Sequence, residues 1–350
     1  MKSVKLNRQI RNRKLKAILI LVFLNITMYY YLITLNYSLS SHNLLKTSPA
    51  IHKINQQIYS DGFGGAYITY ESYYKCYTQY INSTGNKQWE ENGILISPNT
   101  KALYSRTPKI IRDNVGGSII VTSIKEDLLV KRLNSSGYVY WEVEIAASIS
   151  YRDFIRFQIC SDGGNGVIIS WYDSYPSDIY AQRINSSGDI QWGEHGIIIC
   201  DAINDQENPK ICSDGDGGVI IAWEDWRNDN SYNNQRSDLY AQRINGSGII
   251  QWKENGIVIS YENQFPLYPE ICYDENGGAI ITWEGTEGSR DSHIIYAQRV
   301  DSLGSIQWGE KGVIVYREYS NPSIPLGNSY ILYMFVGIII LIIVVQRKIY

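Results

Sequence analysis

Three glutamates, Glu71, Glu224 and Glu284, each follow an aromatic residue (Tyr70, Trp223, Trp283) at the end of an apolar run, and Asp173 and Asp225 sit close to the same kind of position. Carboxyl groups so placed could act on a glycosidic bond. One would donate a proton and the other serve as nucleophile or base, about 5–5.5 Å apart for retention or about 6.5–9.5 Å for inversion. Chain spacing alone does not bring any two together, and a strand-end glutamate that merely solvates a sheet is the simpler reading of all three. Metal chemistry has less to work with. His42, His52, His195 and His293 share no ligand spacing. Asp214-x-Asp216 and Asp274-x-Asn276 begin like a calcium loop, but Phe63, Val115 and Gly164 stand at the matching place elsewhere. No metal and no cofactor are therefore expected.

The elements that carry these residues recur. Asp61-Gly-Phe-Gly-Gly65, Asp113-Asn-Val-Gly-Gly117, Asp162-Gly-Gly-Asn-Gly166, Asp214-Gly-Asp-Gly-Gly218 and Asp274-Glu-Asn-Gly-Gly278 follow one another at steps of 52, 49, 52 and 60 residues. Each precedes an apolar run. A second segment follows, clearest as Tyr180-Ala-Gln-Arg183, Tyr240-Ala-Gln-Arg243 and Tyr296-Ala-Gln-Arg299, then a turn such as Asn185-Ser-Ser-Gly188, then Trp89, Trp141, Trp192, Trp252 or Trp308. Glycine and Asx residues at these points are hairpin chemistry, so each copy reads as four short strands. A unit of about 50 residues cannot bury its own core, and neighbours must pack face to face with tryptophan as filler. Asp side chains that bond backbone amides two residues on explain all five Asp turns.

The pattern Asp-x-x-Gly-Gly-x-Ile-Ile-x-Trp, then Tyr-Ala-Gln-Arg-Ile-Asn-Ser-Ser-Gly-x-Ile-Gln-Trp, resembles the β-propeller repeats of uncharacterised secreted and surface proteins of bacteria and archaea. Ser187-Gly188-x-x-x-Trp192 is also similar to part of the tryptophan-docking motif of quinone-type propellers, with a spacing one residue too long and no cofactor-binding residues beside it. The resemblance spans about residues 54–316 and implies an all-β propeller; five copies suggest a single propeller of five four-stranded blades, and copies running from near Asn55 to near Tyr316 with no evident strand swap predict closure by packing alone, with assembly with a second chain or a further divergent blade as the alternatives. The resemblance implies no activity, since propellers host many.

Within such blades one set of turns is short and repetitive and the other varies. The variable set includes Glu71–Lys75, Tyr172–Asp178, Glu224–Asp238, Glu284–His293 and the connections Asp201–Asn208 and Tyr261–Pro269. Variable loops on a repetitive scaffold commonly carry function, which makes Trp226, Arg227, Tyr232, Tyr175, Tyr73, Tyr74, Phe265 and Tyr268 the candidate ligand contacts. Asn82, Asn134, Asn185 and Asn245 lie in Asn-x-Ser/Thr sequences on the repetitive turns and are possible glycosylation positions. The five cysteines, Cys76, Cys160, Cys200, Cys212 and Cys272, read as small buried residues. Three of them share one position on the innermost strands of different blades.

Charge and hydropathy frame this repeat domain. Seven basic residues and no acid occupy 1–16, and Arg347 and Lys348 lie in 346–350; without these nine, 23 Lys and Arg face 35 acids, a net charge of −12. An acidic domain of this kind argues against nucleic acid as a partner. Apolar segments 17–35 and 330–345 approach the length of a membrane span, and the basic flanks place both ends in the cytoplasm. The expected order is a basic tail (1–16), a span or signal anchor (17–35), a linker (36–53), the extracytoplasmic propeller (54–316), a linker (317–329), a span (330–345) and a cytoplasmic tail (346–350). The expected function is a plasma-membrane-anchored binding or adhesion module for a glycan or protein ligand, not an enzyme. The alternatives are a surface polysaccharide hydrolase using loop carboxylates and a passive envelope protein.

Overall fold

The computed structural model describes residues 55–318 apart from 74, 98–104, 149–156, 174–176, 230–236, 261–264 and 288. Twenty strands form five four-stranded antiparallel sheets. Blade 1 holds β1 (Gln57–Ser60), β2 (Ala66–Ser72), β3 (Lys75–Ile81) and β4 (Ile94–Leu95). Blade 2 holds β5 (Ser105–Arg112), β6 (Ser118–Ile124), β7 (Asp127–Leu133) and β8 (Val139–Ile145), and blade 3 holds β9 (Phe157–Ser161), β10 (Val167–Tyr172), β11 (Ile179–Ile184) and β12 (Ile197–Cys200). Blade 4 holds β13 (Gln206–Ser213), β14 (Val219–Asp225), β15 (Asp238–Ile244) and β16 (Ile257–Val258), and blade 5 holds β17 (Leu267–Tyr273), β18 (Ala279–Glu287), β19 (Ser289–Val300) and β20 (Val313–Arg317). The strands of each sheet follow chain order, as a propeller requires. No helix among the described residues is long and apolar enough to cross a membrane, and the two expected spans lie outside those residues.

Each repeated residue has one job in all or most copies. The first Asp oxygen of every leading turn accepts amides two and four residues on, as with Asp214 and the amides of Asp216 (2.9 Å) and Gly218 (2.8 Å). Its second oxygen takes the arginine of the third strand: Arg132 on Asp113 and Arg183 on Asp162 at 3.0 Å, Arg243 on Asp214 at 3.0 Å, and Arg299 on Asp274 at 2.8 Å. Blade 1 replaces the arginine with Tyr80, whose hydroxyl donates to Asp61 at 2.9 Å. The glutamine before that residue clamps the tryptophan: Gln242 accepts the Trp252 amide at 3.0 Å and donates to the Lys253 carbonyl at 2.6 Å.

The tryptophan then reaches the next blade. The indole N–H of Trp89 donates to the Ser135 carbonyl (3.0 Å), Trp141 to Ser186 (3.0 Å), Trp192 to Gly246 (3.3 Å) and Trp252 to Ser302 (3.1 Å). Its ring lies over the glycine two residues further along that turn. A Cβ at Gly248 would stand 2.7 Å from Trp192, which is why the Asn-x-x-Gly turn needs glycine there besides its φ of 81°. Around these contacts lie four apolar clusters, one between each pair of successive blades, with Ile120, Ile169, Ile221 and Ile281 among their buried members.

The expected closure by packing is not made among the described residues. Trp308, the fifth tryptophan, is 37% exposed and reaches no turn, while Gly85, the matching glycine of blade 1, has nothing within 4 Å of its would-be Cβ. The physical reason is visible in the strands. Ala279, Ile281 and Trp283 of β18 are buried against blade 4, whereas the alternate residues Ile280 and Thr282 are only half-buried.

Two outcomes follow from this arrangement. Trp192→Ala removes a buried indole and its junction and should cost about 3–5 kcal/mol in chemical denaturation, while Trp308→Ala should cost about 0.5 kcal/mol or less. At Asp274, burial by itself would raise the carboxyl, but the amides of Asn276 and Gly278 and the Arg299 guanidinium together hold it below its ordinary value. A depressed carboxyl stabilises the fold above its unfolded pKa and loses that contribution as pH falls through the folded value. The Asp274 contribution should therefore be complete above about pH 5 and fade below about pH 4, so the gap between the denaturation midpoints of wild type and Asp274→Asn should be constant above that range and close below it.

Candidate functional site

The inner strands are not regular. In β5, β13 and β17 the ladder slips at the same repeat position, between Arg106 and Lys109, Glu207 and Lys210, and Leu267 and Glu270. At each slip a non-glycine residue takes positive φ: Thr107 (51°), Asn208 (54°) and Tyr268 (53°). Proline follows each of them (Pro108, Pro209, Pro269). Proline has no N–H to offer the ladder, so it settles at bulges or edges. The bulge takes the preceding residue out of the ladder and re-aims it towards the end where the variable loops lie.

Glu224, at the end of β14, sits against two of these bulges. It is buried, and its two oxygens accept the Asn208 side-chain amide at 2.9 Å and the Tyr268 backbone N–H at 2.7 Å. Across the ladder its partner is Glu207. Burial raises the Glu224 carboxyl above its usual range, Glu207 adds to the rise, and the bonds from Asn208 and Tyr268 and the charge of Lys210 offset only part of it. Glu71 accepts the Asn55 amide at 3.0 Å, the blade 1 counterpart of the Asn208 contact. Glu284 meets His293 at 2.7 Å on the exposed rim. Of the three glutamates only Glu224 is both buried and opposed by a second glutamate.

Acids continue outward over the junction of blades 3 and 4. Ser177 donates from its amide and hydroxyl to Asp205 (3.1 and 3.2 Å), and its hydroxyl also reaches Glu207 at 3.4 Å. The Asp178 amide donates to Asp173 at 2.8 Å. Burial, with the charges of Asp173, Asp201 and Asp205, pushes the Asp178 carboxyl up to about 6. On the inner strands, Lys109, Lys210 and Glu270 hold one repeat position in blades 2, 4 and 5, and Lys210 pairs with Glu270. Burial and the Lys210 charge pull the Lys109 ammonium down, with Glu270 acting in the opposite sense.

The expected aromatic contacts fall in different places. Tyr268 is 68% exposed directly beside Glu224, Phe265 is half-buried in the same connection, and Tyr73 is 75% exposed at the tip of blade 1. Trp226 is half-buried, its amide bonded to the Asp205 carbonyl at 3.0 Å. Tyr74, Tyr175 and Tyr232 lie outside the described residues. Arg227, expected to meet a ligand, is turned inward instead. Its guanidinium bonds both oxygens of fully buried Asp225 (2.8 and 2.6 Å) and the Asn255 carbonyl (2.7 Å), contacts the Cys200 sulfur (3.0 Å) and lies 3.9 Å from the centre of the Tyr240 ring. Asp225 also takes the Trp223 indole N–H at 2.8 Å. Asn82, Asn134, Asn185 and Asn245 each accept turn amides through their side-chain oxygens. The five cysteines are unbridged, and burial pushes the Cys200 and Cys212 thiols up to about 12.

No protein-family model matches this chain, and no curated protein matches it. Solved structures give partial likenesses. A Bacteroides caccae protein of unknown function is 15% identical over 74% of this chain and 81% of its own, with a TM-score of 0.37. An endo-1,4-β-xylanase of Bacteroides thetaiotaomicron is 9% identical over 75% of this chain and 97% of its own, with a TM-score of 0.35. An endo-arabinase of the same organism is 12% identical over 75% and 97%, with a TM-score of 0.38. The non-catalytic binding module expected from the sequence has no counterpart among these, which include a xylanase and an arabinase, and the polysaccharide-hydrolase alternative replaces it as the reading taken up below. At these scores the likeness carries no argument of its own, so any activity has to be argued from the residues.

Arg227→Ala would leave the Asp225 carboxylate buried without its counter-charge, a loss of about 3–5 kcal/mol. Thermal unfolding should show it, and Arg227→Lys should recover only part, since an ammonium cannot reproduce the planar fork.

Proposed function

We propose that the chain is a glycoside hydrolase acting on a polysaccharide, with Glu224 as the proton donor and Glu207 as its ionised partner. The observation behind this reading is the cross-strand pair itself: a buried carboxyl with raised proton affinity, facing a second carboxylate at the end of the domain that carries the exposed aromatics. Directly opposed residues in an antiparallel ladder have Cβ atoms about 4.5–5.5 Å apart. The carboxyl groups of two such glutamates can approach to the shorter separation that retention uses, and a retaining course is the one proposed. Glu224 would protonate the departing glycosidic oxygen while Glu207 attacks the anomeric carbon. Water, activated by the now ionised Glu224, would then release the sugar from Glu207 and return the proton to Glu224.

Tyr268, exposed beside the pair, supplies a flat apolar surface for a sugar ring, and Trp226 and Phe265 flank the same loops. The apolar segments 17–35 and 330–345 would hold the domain outside the plasma membrane, where polysaccharide is met. Sugar hydroxyls fit an acidic domain better than a phosphate-bearing ligand would.

The test is release of reducing ends from a panel of plant and microbial polysaccharides by the full-length protein in detergent, with the anomeric form of the first product read by NMR. Glu224→Gln and Glu207→Gln should each lower kcat by about 10²–10⁴-fold with little change in KM. Activity should decline as pH rises through the Glu224 pKa, because the donor form is lost, on a limb lying above the ordinary glutamate value. Release that neither substitution alters, or no release from any polymer, would contradict the proposal.

A further inference from the structure

Four of the five blades place their tryptophan on the next blade's turn, and the parts left over at the two ends of the row are complementary. Blade 5 presents a donor face: Trp308 without a turn to bond, beside an apolar hollow formed by Ile280, Ala297, Trp308, Val313 and Val315. Val313 and Val315 are 47% and 62% exposed. The Arg299 guanidinium, unlike those of Arg183 and Arg243, which reach the carbonyls of Gly246 and Ser302 in the next blade, bonds Asp274 alone among the described residues. Blade 1 presents the receptor face. Its turn holds Gly85, open above its Cα, and Ser83, whose carbonyl occupies the place taken by Ser135, Ser186, Gly246 and Ser302 at the four formed junctions.

The strands beneath agree with this. Ala66, Ile68 and Tyr70 of β2 correspond to Ala279, Ile281 and Trp283 of β18, which blade 4 buries completely or nearly so. In blade 1 all three are only half-buried, while their neighbours Tyr67 and Thr69, facing blade 2, are buried. Tyr70 stacks on Tyr77 at 5.6 Å, as Trp283 does on Tyr296 at 5.6 Å, so the receptor face is built to the same plan and lacks only its cover.

We infer that blade 5 of one chain docks on blade 1 of a second copy, continuing the tryptophan–turn junction from chain to chain. The contact is head-to-tail: each copy offers a different face, so it propagates unless the rotation closes a ring. Its predicted details are those of the internal junctions, with the Trp308 indole N–H on the Ser83 carbonyl of the partner and the ring over Gly85. The inference does not depend on the hydrolase reading.

Two single substitutions separate the halves. Trp308→Arg removes the donor and leaves blade 1 intact, and Ile68→Arg removes the receptor and leaves blade 5 intact. The expected result, by sedimentation of the full-length chain in detergent, is concentration-dependent assembly of the wild type, at least tenfold weaker association of either variant alone, and a dimer that grows no further when the two are mixed in equal amounts. Recovery on mixing also shows that both variants fold. A wild type that stays monomeric at every concentration would overturn the inference in favour of closure within one chain. Assembly that neither substitution weakens would assign it to another surface and overturn it equally.

Discussion

A blade of this protein cannot bury both of its faces alone, and the tryptophan carried to the neighbouring turn is the contact that resolves this. The indole needs a carbonyl for its N–H and a glycine beneath its ring, so one side chain sets the chemistry of a turn about 50 residues away. The arginine of the third strand ties the leading Asp turn of its own blade and, in blades 2 to 4, the same neighbouring turn. Each junction is thus polar at the turn end and apolar beneath. That combination accounts for the repeat better than any single residue does.

The opposite end of the blades is released from this constraint. There the inner strands slip at a residue before proline, and the slipped residues of blades 4 and 5 both bond Glu224. The carboxyl that carries the proposed chemistry is therefore also a fastening between two blades. Burial raises its proton affinity, and the bonds that hold the bulges take back only part of that rise. Repeating turns at one end and irregular inner strands at the other separate the junctions from the candidate site.

Much of this was legible before any coordinates. The Asp-x-x-Gly-Gly turns, the Tyr-Ala-Gln-Arg segments and the spaced tryptophans gave the five four-stranded units, because period and turn residues reflect local physics. Trp226 and Arg227 illustrate the limit. They were grouped as neighbours on a long loop, yet the backbone sends Arg227 inward to Asp225, and nothing in the order Glu-Asp-Trp-Arg distinguishes that outcome. Glu207 was missed altogether. The signal was present in the recurrence of Pro108, Pro209 and Pro269 five residues before the leading Asp, which marks the bulges that set the register opposite Glu224. Ring closure was not legible, because five similar units say nothing about the angle between them.

The junction can be observed one indole at a time. With tryptophan ¹⁵N-labelled and the full-length chain diluted to the monomer, hydrogen exchange of the indole N–H groups should be slow for Trp89, Trp141, Trp192 and Trp252 and fast for Trp308. Slow exchange at Trp308 in the monomer, on a par with the other four, would mean that the fifth junction forms within one chain and would contradict the account.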